Sequence, residues 1–263
     1  MEPLCRGWSL PEAPCVDHEG NVYFSDVLGG GVFRWAPGGE VETVLEKRRG
    51  IGGMCLHADG GLVISGRDVI HLRDGEQRVL LGDLEGVTGF NDLGVDAHGS
   101  VWVGALRFRP FGGEAPVPGD VWSIGDAGAS RIDVEVDWPN GIAFAPGGAT
   151  MYLCDYAHAT VLAHGSADGV FARVPAGSAD GLAVDESGGV WVAMGDGGGI
   201  ARFDPDGVLG EVLDVPASFV TSLCFGGEDM RDLYVTAVAD PGGGTLFRGR
   251  SDVPGLPVPP ASA

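Results

Sequence analysis

The side chains best suited to chemistry in this chain are carboxylates and amides that return at a regular interval. One position recurs about every 40 residues and carries, in chain order, Glu12, Gly52, Asn91, Asn140, Asp180 and Thr221. Carboxylate and amide oxygens are the ligands that hard divalent cations prefer, and two carboxylates balance a charge of 2+. If the fold brings these positions together, they form either a metal site or a polar channel filled with water.

The interval comes from an internal repeat of one plan: a short apolar run, a Gly-rich turn and a second apolar run. The turns start 40, 39, 49, 40 and 41 residues apart, at Asp17, His57, Asp96, Ala145, Asp185 and Gly226. Each period also contains a later pair of runs rich in Val, Ile and aromatic residues, which favours strands over helices. Four strands in about 40 residues are typical of a β-propeller blade. The sequence therefore predicts an all-β, six-bladed propeller with four-stranded blades, forming one domain over residues 1–263.

The two ends of the chain complete this prediction. The sixth period supplies three strands and no fourth, and the segment Leu4–Trp8 precedes the first repeat. We expect this N-terminal segment to close the ring, because closure removes exposed strand edges. The Pro-rich tail, from about 252 to 263, has too many prolines for a strand ladder, so we expect it along the surface.

Equivalent positions of a propeller lie at the same height around its axis, so the recurring polar set should converge at one end of the channel. The residues three positions later are small and apolar, as a packed interior requires: Cys15, Cys55, Gly94, Ala143, Ala183 and Cys224. Polar side chains that point inward at one level need a partner or water. We call the set Glu12, Gly52, Asn91, Asn140, Asp180 and Thr221 the axial ring.

Composition excludes several classes of function. The chain has 16 Lys and Arg against 37 Asp and Glu, a net charge of −21, which works against binding nucleic acid or an anionic membrane. We find no apolar run of transmembrane or signal-peptide length. Five cysteines without paired spacing predict reduced thiols and a cytoplasmic location. There is also no G-x-S-x-G motif and no H-E-x-x-H spacing, so serine-hydrolase and zinc-protease signatures are missing.

Four segments together resemble the senescence marker protein/gluconolactonase/luciferin-regenerating enzyme family. They are E-A-P at Glu12, F-N-D-L-G-V-D at Phe90, P-N-G-I-A-F-A-P-G-G at Pro139 and A-D-G-L-A-V-D-E-S-G at Ala179, and the similarity runs from about Glu12 to Ala237. The resemblance implies a six-bladed propeller with one divalent cation on its axis and lactone hydrolysis as the activity. It implies Glu12, Asn140 and Asp180 as metal ligands. Asn91 would be a fourth position, which binds the metal, its water or the substrate.

The absence of His and Cys from the axial ring favours Ca²⁺, Mg²⁺ or Mn²⁺ over Zn²⁺ on ligand hardness, and of these we expect Ca²⁺. Members of the family accept several ions, so Mg²⁺, Mn²⁺, Zn²⁺ and Fe²⁺ stay open.

The sequence departs from the family at a substrate contact. The family's Arg, two residues before the Asn of this motif, is Gly89 here. An insertion, Leu106–Asp120, accounts for the 49-residue interval. It could restore the guanidinium through Arg107 or Arg109 and offer apolar surface through Phe108, or it could be a surface flap with solvated arginines. Without the guanidinium we expect weaker activity on aldonolactones than on less hydroxylated lactones or esters.

The chemistry that the resemblance implies for these residues is metal-assisted hydrolysis of a small lactone. The ion polarises the ester carbonyl and acidifies water, Asp180 takes the proton of that water, and Asn91 orients water or substrate. Two alternatives stay open. The first is hydrolysis of phosphotriesters or other esters at the same metal, in view of the family's likeness to diisopropyl fluorophosphatase. The second is a non-catalytic propeller that binds Ca²⁺ or a small ligand.

Overall fold

The computed structural model describes residues 1–239 and 241–263 and arranges them as a ring of six four-stranded sheets. Within this part of the chain, the helical structure consists of two 3₁₀ turns, at Pro110–Gly112 and Tyr156–His158. Every strand pairing within the sheets is antiparallel, and blades 1 to 5 run from an innermost to an outermost strand in chain order. Blade 6 runs in the same way through its first three strands and takes its outermost strand from the N-terminus. The predicted all-β, six-bladed propeller is confirmed.

The 24 strands divide among the blades as follows. Blade 1 contains β2 (Pro11–Val16), β3 (Val22–Asp26), β4 (Val32–Trp35) and β5 (Val41–Leu45), and blade 2 contains β6 (Met54–Leu56), β7 (Leu62–Ile64), β8 (Val69–Arg73) and β9 (Glu76–Leu81). Blade 3 contains β10 (Gly89–Val95), β11 (Val101–Leu106), β12 (Asp120–Gly125) and β13 (Gly128–Ile132), and blade 4 contains β14 (Pro139–Phe144), β15 (Thr150–Asp155), β16 (Thr160–Gly165) and β17 (Gly169–Arg173). Blade 5 contains β18 (Leu182–Val184), β19 (Val190–Ala193), β20 (Ile200–Phe203) and β21 (Leu209–Leu213). Blade 6 contains β22 (Phe219–Gly226), β23 (Asp232–Ala239) and β24 (Gly243–Arg250), together with β1 (Glu2–Trp8).

An aspartate closes the innermost hairpin in three of the blades. The Asp185 carboxylate accepts hydrogen bonds from the backbone N–H groups of Ser187 and Gly189 at 3.0 and 2.8 Å, and from Trp191 Nε1 at 2.8 Å. Asp96 repeats this pattern, including the bond from a Trp indole, and Asp17 repeats the two backbone bonds in blade 1. Such an Asp satisfies turn N–H groups that would otherwise be unpaired. The repeated D-x-x-G signal thus marks the end of the ring that we call the base.

The N-terminal strand closes the ring as predicted. β1 pairs antiparallel with β24, with Arg6 opposite Thr245, and it completes the fourth strand of blade 6. The strand begins at Glu2, two residues earlier than Leu4. Trp8 at its end packs edge-on against Phe24 of blade 1, with 4.6 Å between the ring centroids. Closure therefore joins the last blade to the first through both hydrogen bonds and apolar contact.

The C-terminal tail forms no ladder and lies along the surface at the base of the ring, as the sequence predicts, but it also pairs with two blades, which the sequence does not predict. Gly255 forms an isolated bridge with Asp185, and Ala261 forms one with His57. Ala261 is fully buried, and its backbone N–H donates to Leu56 O at 2.8 Å. Isolated bridges are what a Pro-rich segment can make, since proline lacks the N–H that a ladder requires.

A cavity of about 740 Å³ lies between this tail and the innermost strands. Its walls include the layer of small residues at Cys15, Cys55 and Cys224. The expectation of a filled interior at this level was therefore wrong: small side chains leave open space around the axis. No helix in the described ranges 1–239 and 241–263 is both long and apolar enough to cross a membrane.

We predict that deletion of residues 1–9 causes aggregation, because it removes β1 and exposes the edge of β24. The measurement is size-exclusion chromatography together with thermal unfolding. Deletion of residues 1–2 is the matched control, because it leaves the pairing from Pro3 onward in place. A nine-residue deletion that stayed monodisperse and equally heat-stable would contradict the role of β1 in closure.

Candidate functional site

The axial ring lies where the innermost strands begin, at the end of the channel opposite the base. Four of these strands have a register shift at this level, between Glu12 and Cys15, Phe90 and Leu93, Pro139 and Ile142, and Val220 and Ser222. A bulge changes the direction of the side chains beside it and is common next to functional sites. The structure thus uses one local distortion, repeated around the ring, at the level of the predicted ligands.

The N-G and D-G motifs have a steric cause. A β-carbon on Gly141 would lie 2.6 Å from the backbone nitrogen of Leu182 and 2.7 Å from the carbonyl oxygen of Asp180. A β-carbon on Gly181 would meet the side chain of Ser222. In blades 4 and 5 the innermost strand approaches the next so closely that the residue after the candidate ligand has room only for hydrogen. In blade 1 the same position is Ala13, which adopts a positive φ of 54°.

Hydrogen bonds connect the ligand candidates of three consecutive blades. Asn140 Nδ2 donates to Asp180 Oδ1 at 2.6 Å, and Asn91 Nδ2 donates to the carbonyl oxygen of Pro139 at 2.9 Å. The Asn91 side-chain oxygen occupies the space that a β-carbon on Gly52 would need, which explains the glycine at that member of the ring. Because both amides direct their N–H groups at neighbours, their carbonyl oxygens are left to accept. The structure therefore brings Asn91, Asn140 and Asp180 together.

Three buried carboxylates, Glu12, Asp92 and Asp180, interact electrostatically near the axis. Burial raises the pKa of Glu12 well above its ordinary value, and the charges of Asp180 and Asp92 raise it further. Burial and the charge of Asp92 raise the pKa of Asp180 against the lowering effect of the Asn140 hydrogen bond. Burial raises the pKa of Asp92 to about 7, although a bond from the Leu93 N–H lowers it in part. Among the described residues, no Arg, Lys or His side chain forms an ion pair with any of these three carboxylates.

This donor set fits a hard divalent cation. Buried carboxylates without a positive partner are costly, and a cation would relieve their repulsion. In the described part of the chain, no three His, Cys, Asp or Glu side chains are grouped so that they alone could hold a metal ion. A cation would therefore need the amide oxygens of Asn140 and Asn91 in addition to Glu12 and Asp180, which is the mixed oxygen set expected for Ca²⁺ or Mg²⁺.

Asp92 is the site residue that the sequence analysis missed. It follows Asn91, at the position where blades 2, 4 and 5 have glycine. Its side chain is 7% exposed, and it lies at the boundary between the axial ring and the cavity below. The sequence did contain a signal for Asp92. The residue after each member of the axial ring is small in the other five blades, so a carboxylate at this position in blade 3 is unusual and indicates a function.

The three candidate substrate-binding residues in the insertion of blade 3 all contact other protein groups. Arg107 forms an ion pair with Asp120 at 2.6 Å and donates to the carbonyl oxygen of Glu85. Arg109 pairs with Glu114 inside the loop at 3.3 Å. Phe108 is 2% exposed and packs edge-on against Trp138, with 5.0 Å between centroids. Both guanidinium groups thus already have carboxylate partners, and Phe108 supports a neighbouring ring.

We predict that the chelated protein is more heat-stable at pH 5.5 than at pH 8, and that a divalent cation reverses this order. Folding raises the pKa values of Glu12, Asp92 and Asp180, so the folded state binds their protons more tightly than the unfolded state. This stabilisation of the folded state increases as the pH falls through about 7, which is the pKa of Asp92 in the folded protein. We expect a difference in Tm on the order of 5 °C. The cation should displace the protons and bind more tightly at the higher pH.

The measurement is thermal unfolding with chelator and with Ca²⁺ in buffers from pH 5.5 to 8. Titratable groups outside the site contribute equally to Tm with chelator and with Ca²⁺, so their contribution cancels when the two profiles are compared. One such group is His158, whose pKa is raised by its bond to Asp137. Asp92→Asn should reduce the difference between the two conditions. Identical pH profiles with and without cation would contradict a cation at these carboxylates.

Known proteins resemble this chain in sequence and in fold. The family profile described as the SMP-30/Gluconolactonase/LRE-like region matches residues 10–239. The 6-deoxy-6-sulfogluconolactonase of Pseudomonas putida is 31% identical, over 97% of this chain and 93% of its own length. The pentonolactonase of Haloferax volcanii is 29% identical, over 95% of this chain and 87% of its own. A solved luciferin-regenerating enzyme superposes with a TM-score of 0.88 at 22% identity, covering 100% of this chain and 99% of that one, which establishes the likeness of fold. This chain belongs to the SMP-30/gluconolactonase/LRE-like family.

Proposed function

We propose that this protein is a metal-dependent lactonase that opens a small cyclic ester by attack of water. One observation carries the proposal: buried carboxylates without a counter-charge lie beside two amides at the start of the innermost strands. The names of the relatives support the reaction class, because two of them are sugar lactonases. Lactonases are hydrolases of ester bonds, so the protein is an enzyme of that class.

Glu12, Asn140 and Asp180 would hold the cation, with Asn91 as a fourth direct or water-mediated partner. Ligand hardness favours Ca²⁺, Mg²⁺ or Mn²⁺ over Zn²⁺, and of these we propose Ca²⁺. A cation bound there supplies Lewis-acid polarisation of the ester carbonyl and lowers the pKa of nearby water.

Asp180 is our candidate for the group that accepts the proton of the attacking water. Its Oδ1 accepts the bond from Asn140, which fixes the carboxylate plane and leaves Oδ2 for a proton. Its burial keeps bulk water from competing for that oxygen. Glu12, whose carboxylate accepts from the N–H of Ala13, is held by its own backbone and is better suited to a fixed ligand.

Asn91 is our candidate for orienting the substrate or water. Its Nδ2 donates to the Pro139 carbonyl, so its side-chain oxygen is the atom available to a hydroxyl group. A positioned acceptor beside the reacting carbonyl reduces the entropy that must be lost in the transition state.

The substrate we propose is a neutral lactone of a sugar acid or a less hydroxylated relative. The relatives named above support the sugar lactones, whereas Gly89 lacks the guanidinium that the family places against sugar hydroxyls. One charge-assisted hydrogen bond contributes roughly 1.5–3 kcal/mol, or about 10- to 100-fold in binding. The prediction that an alkyl γ-lactone is turned over better than gluconolactone therefore stands.

A cytoplasmic location is also part of this proposal. It rests on the five cysteines, which are all free thiols in the structure. Thiols persist where the compartment is reducing.

We predict that hydrolysis of a lactone panel requires a divalent cation, and that Asp180→Asn lowers kcat/KM by about 100-fold or more. The substitution removes both the charge at the cation and the proton acceptor while it preserves size. The measurement is turnover of gluconolactone, a pentonolactone, an alkyl γ-lactone and a phosphotriester, with Ca²⁺, Mg²⁺ or Mn²⁺ and with chelator.

Asp204→Asn is the matched control. Asp204 accepts backbone bonds from Asp206 and Val208 in a turn between the two outer strands of blade 5. It should retain activity. Bound cation without turnover of any lactone would contradict the lactonase proposal and favour a binding protein. Turnover of the phosphotriester alone would favour the other hydrolase.

A further inference from the structure

The residues two positions before the axial ring form a second ring at the mouth of the site, which we call the rim. Because these positions share one phase of the repeat, they surround the mouth in blade order: Leu10, Gly50, Gly89, Trp138, Ser178 and Phe219. Trp138 is the largest of these side chains, and it is only partly buried. The two glycines lie side by side in blades 2 and 3, so the rim is low on one side and high at blade 4.

The backbone at Trp138 is held rigidly from both sides. The buried carboxylate of Asp155 accepts from the N–H groups of Asp137 and Trp138, each at 3.2 Å. The carbonyl oxygen of Trp138 accepts from the N–H of Tyr156 at 3.0 Å. An aromatic ring on a backbone fixed in this way loses little freedom when it binds a ligand, which is the advantage of preorganisation.

Three aromatic rings form a continuous band beside the metal-ligand candidates. The buried Phe108 packs edge-on against Trp138 at 5.0 Å, and Trp138 packs against Tyr156 at 4.4 Å with an angle of 41° between the rings. Tyr156 lies against the hydroxyl of Ser178 and within the electrostatic reach of Asp180. The band therefore extends from the insertion of blade 3, through blade 4, to the rim of blade 5.

Blade 1, on the opposite side of the ring, shows that the fold does not require aromatic residues here. There the Asp26 carboxylate accepts from the N–H groups of Ser9 and Leu10, and Val27 N–H donates to Leu10 O. The hydrogen bonds are the same as in blade 4, but the paired side chains are the aliphatic Leu10 and Val27. The same backbone hydrogen bonds therefore form without aromatic side chains, so the aromatic rings at Trp138 and Tyr156 are not needed to hold the backbone of blade 4.

We propose that Trp138, with Tyr156 beside it, is the face on which the ring of the substrate stacks. The inference rests on the proposed lactonase function and identifies its ligand as a neutral five- or six-membered ring with an apolar C–H face. Trp138 is two residues from Asn140, a separation of about 6–7 Å along an extended strand, so a ring on the indole can direct its polar edge at the axial ring. Phe108 supports the indole from behind, which gives the insertion a role without direct contact. Exocyclic substituents would leave over the low rim at Gly50 and Gly89.

The kinetic test compares Trp138→Phe with Trp138→Leu. Phe retains an aromatic face, whereas Leu retains apolar volume and removes the π surface. We expect Trp138→Leu to raise KM for the best lactone by about 3- to 10-fold with a smaller change in kcat, and Trp138→Phe to restore most of the affinity. Equal KM values for the wild type and Trp138→Leu would overturn the proposal.

A binding test separates this inference from the proposed function. δ-Valerolactam has the ring of a lactone but resists hydrolysis, so its binding to the cation-loaded protein does not depend on turnover. In saturation-transfer NMR, irradiation of aromatic protein protons should transfer to the ring protons of the lactam in the wild type and in Trp138→Phe. The transfer should fall at least several-fold in Trp138→Leu. If no lactone is hydrolysed but this pattern holds, the lactonase proposal fails and the stacking face stands. If lactones are hydrolysed and the transfer is unchanged in Trp138→Leu, the stacking face is wrong.

Discussion

The electrostatic repulsion among Glu12, Asp92 and Asp180 is the constraint on which the account of this molecule depends. Burial raises the pKa of each of the three, the charges of Asp180 and Asp92 raise the pKa of Glu12 further, and the charge of Asp92 raises the pKa of Asp180. No ion pair among the described residues offsets this repulsion. A fold retains such a cluster only where the backbone holds it in place. Here the bulges of the innermost strands and the glycines after the ligands provide that rigidity. The unfavourable charge is then available to attract a cation.

The two ends of the ring carry different kinds of side-chain contact. At the base, aspartates close hairpins, and the tail bridges blades 2 and 5. At the other end, the same repeat positions carry different side chains in each blade. The pair at Leu10 and Val27 and the pair at Trp138 and Tyr156 share one set of backbone hydrogen bonds. A repeat fold can therefore change the side chains of its rim without a change in architecture.

The repeat phase was enough to predict the fold, the closing strand and the common level of the axial ring, because all three follow from periodicity. The structure then brings Asn91, Asn140 and Asp180 into direct contact or close succession. Asp92 was not predicted because it lies one residue after the axial-ring position of its blade. Only the structure shows that neighbouring strands come so close at the equivalent positions of other blades that glycine is required there. The bridges from the C-terminal tail to Asp185 and His57 could not be predicted, because they join residues far apart in sequence and outside the repeat. The contacts of Phe108 and Arg107 depend on how an irregular loop packs, and such a loop has no sequence periodicity from which its contacts could be predicted.

The most direct test of a cation on the axis is a crystal structure of the protein loaded with Mn²⁺ and recorded at the manganese absorption edge. The account predicts one strong anomalous peak within about 2.5 Å of carboxylate oxygens from Glu12 and Asp180 and of the side-chain oxygen of Asn140. A second data set from Asp180→Asn should lose that peak while the innermost strands stay in place. A peak elsewhere in the molecule, or a site with water in place of the ion at saturating Mn²⁺, would contradict the account.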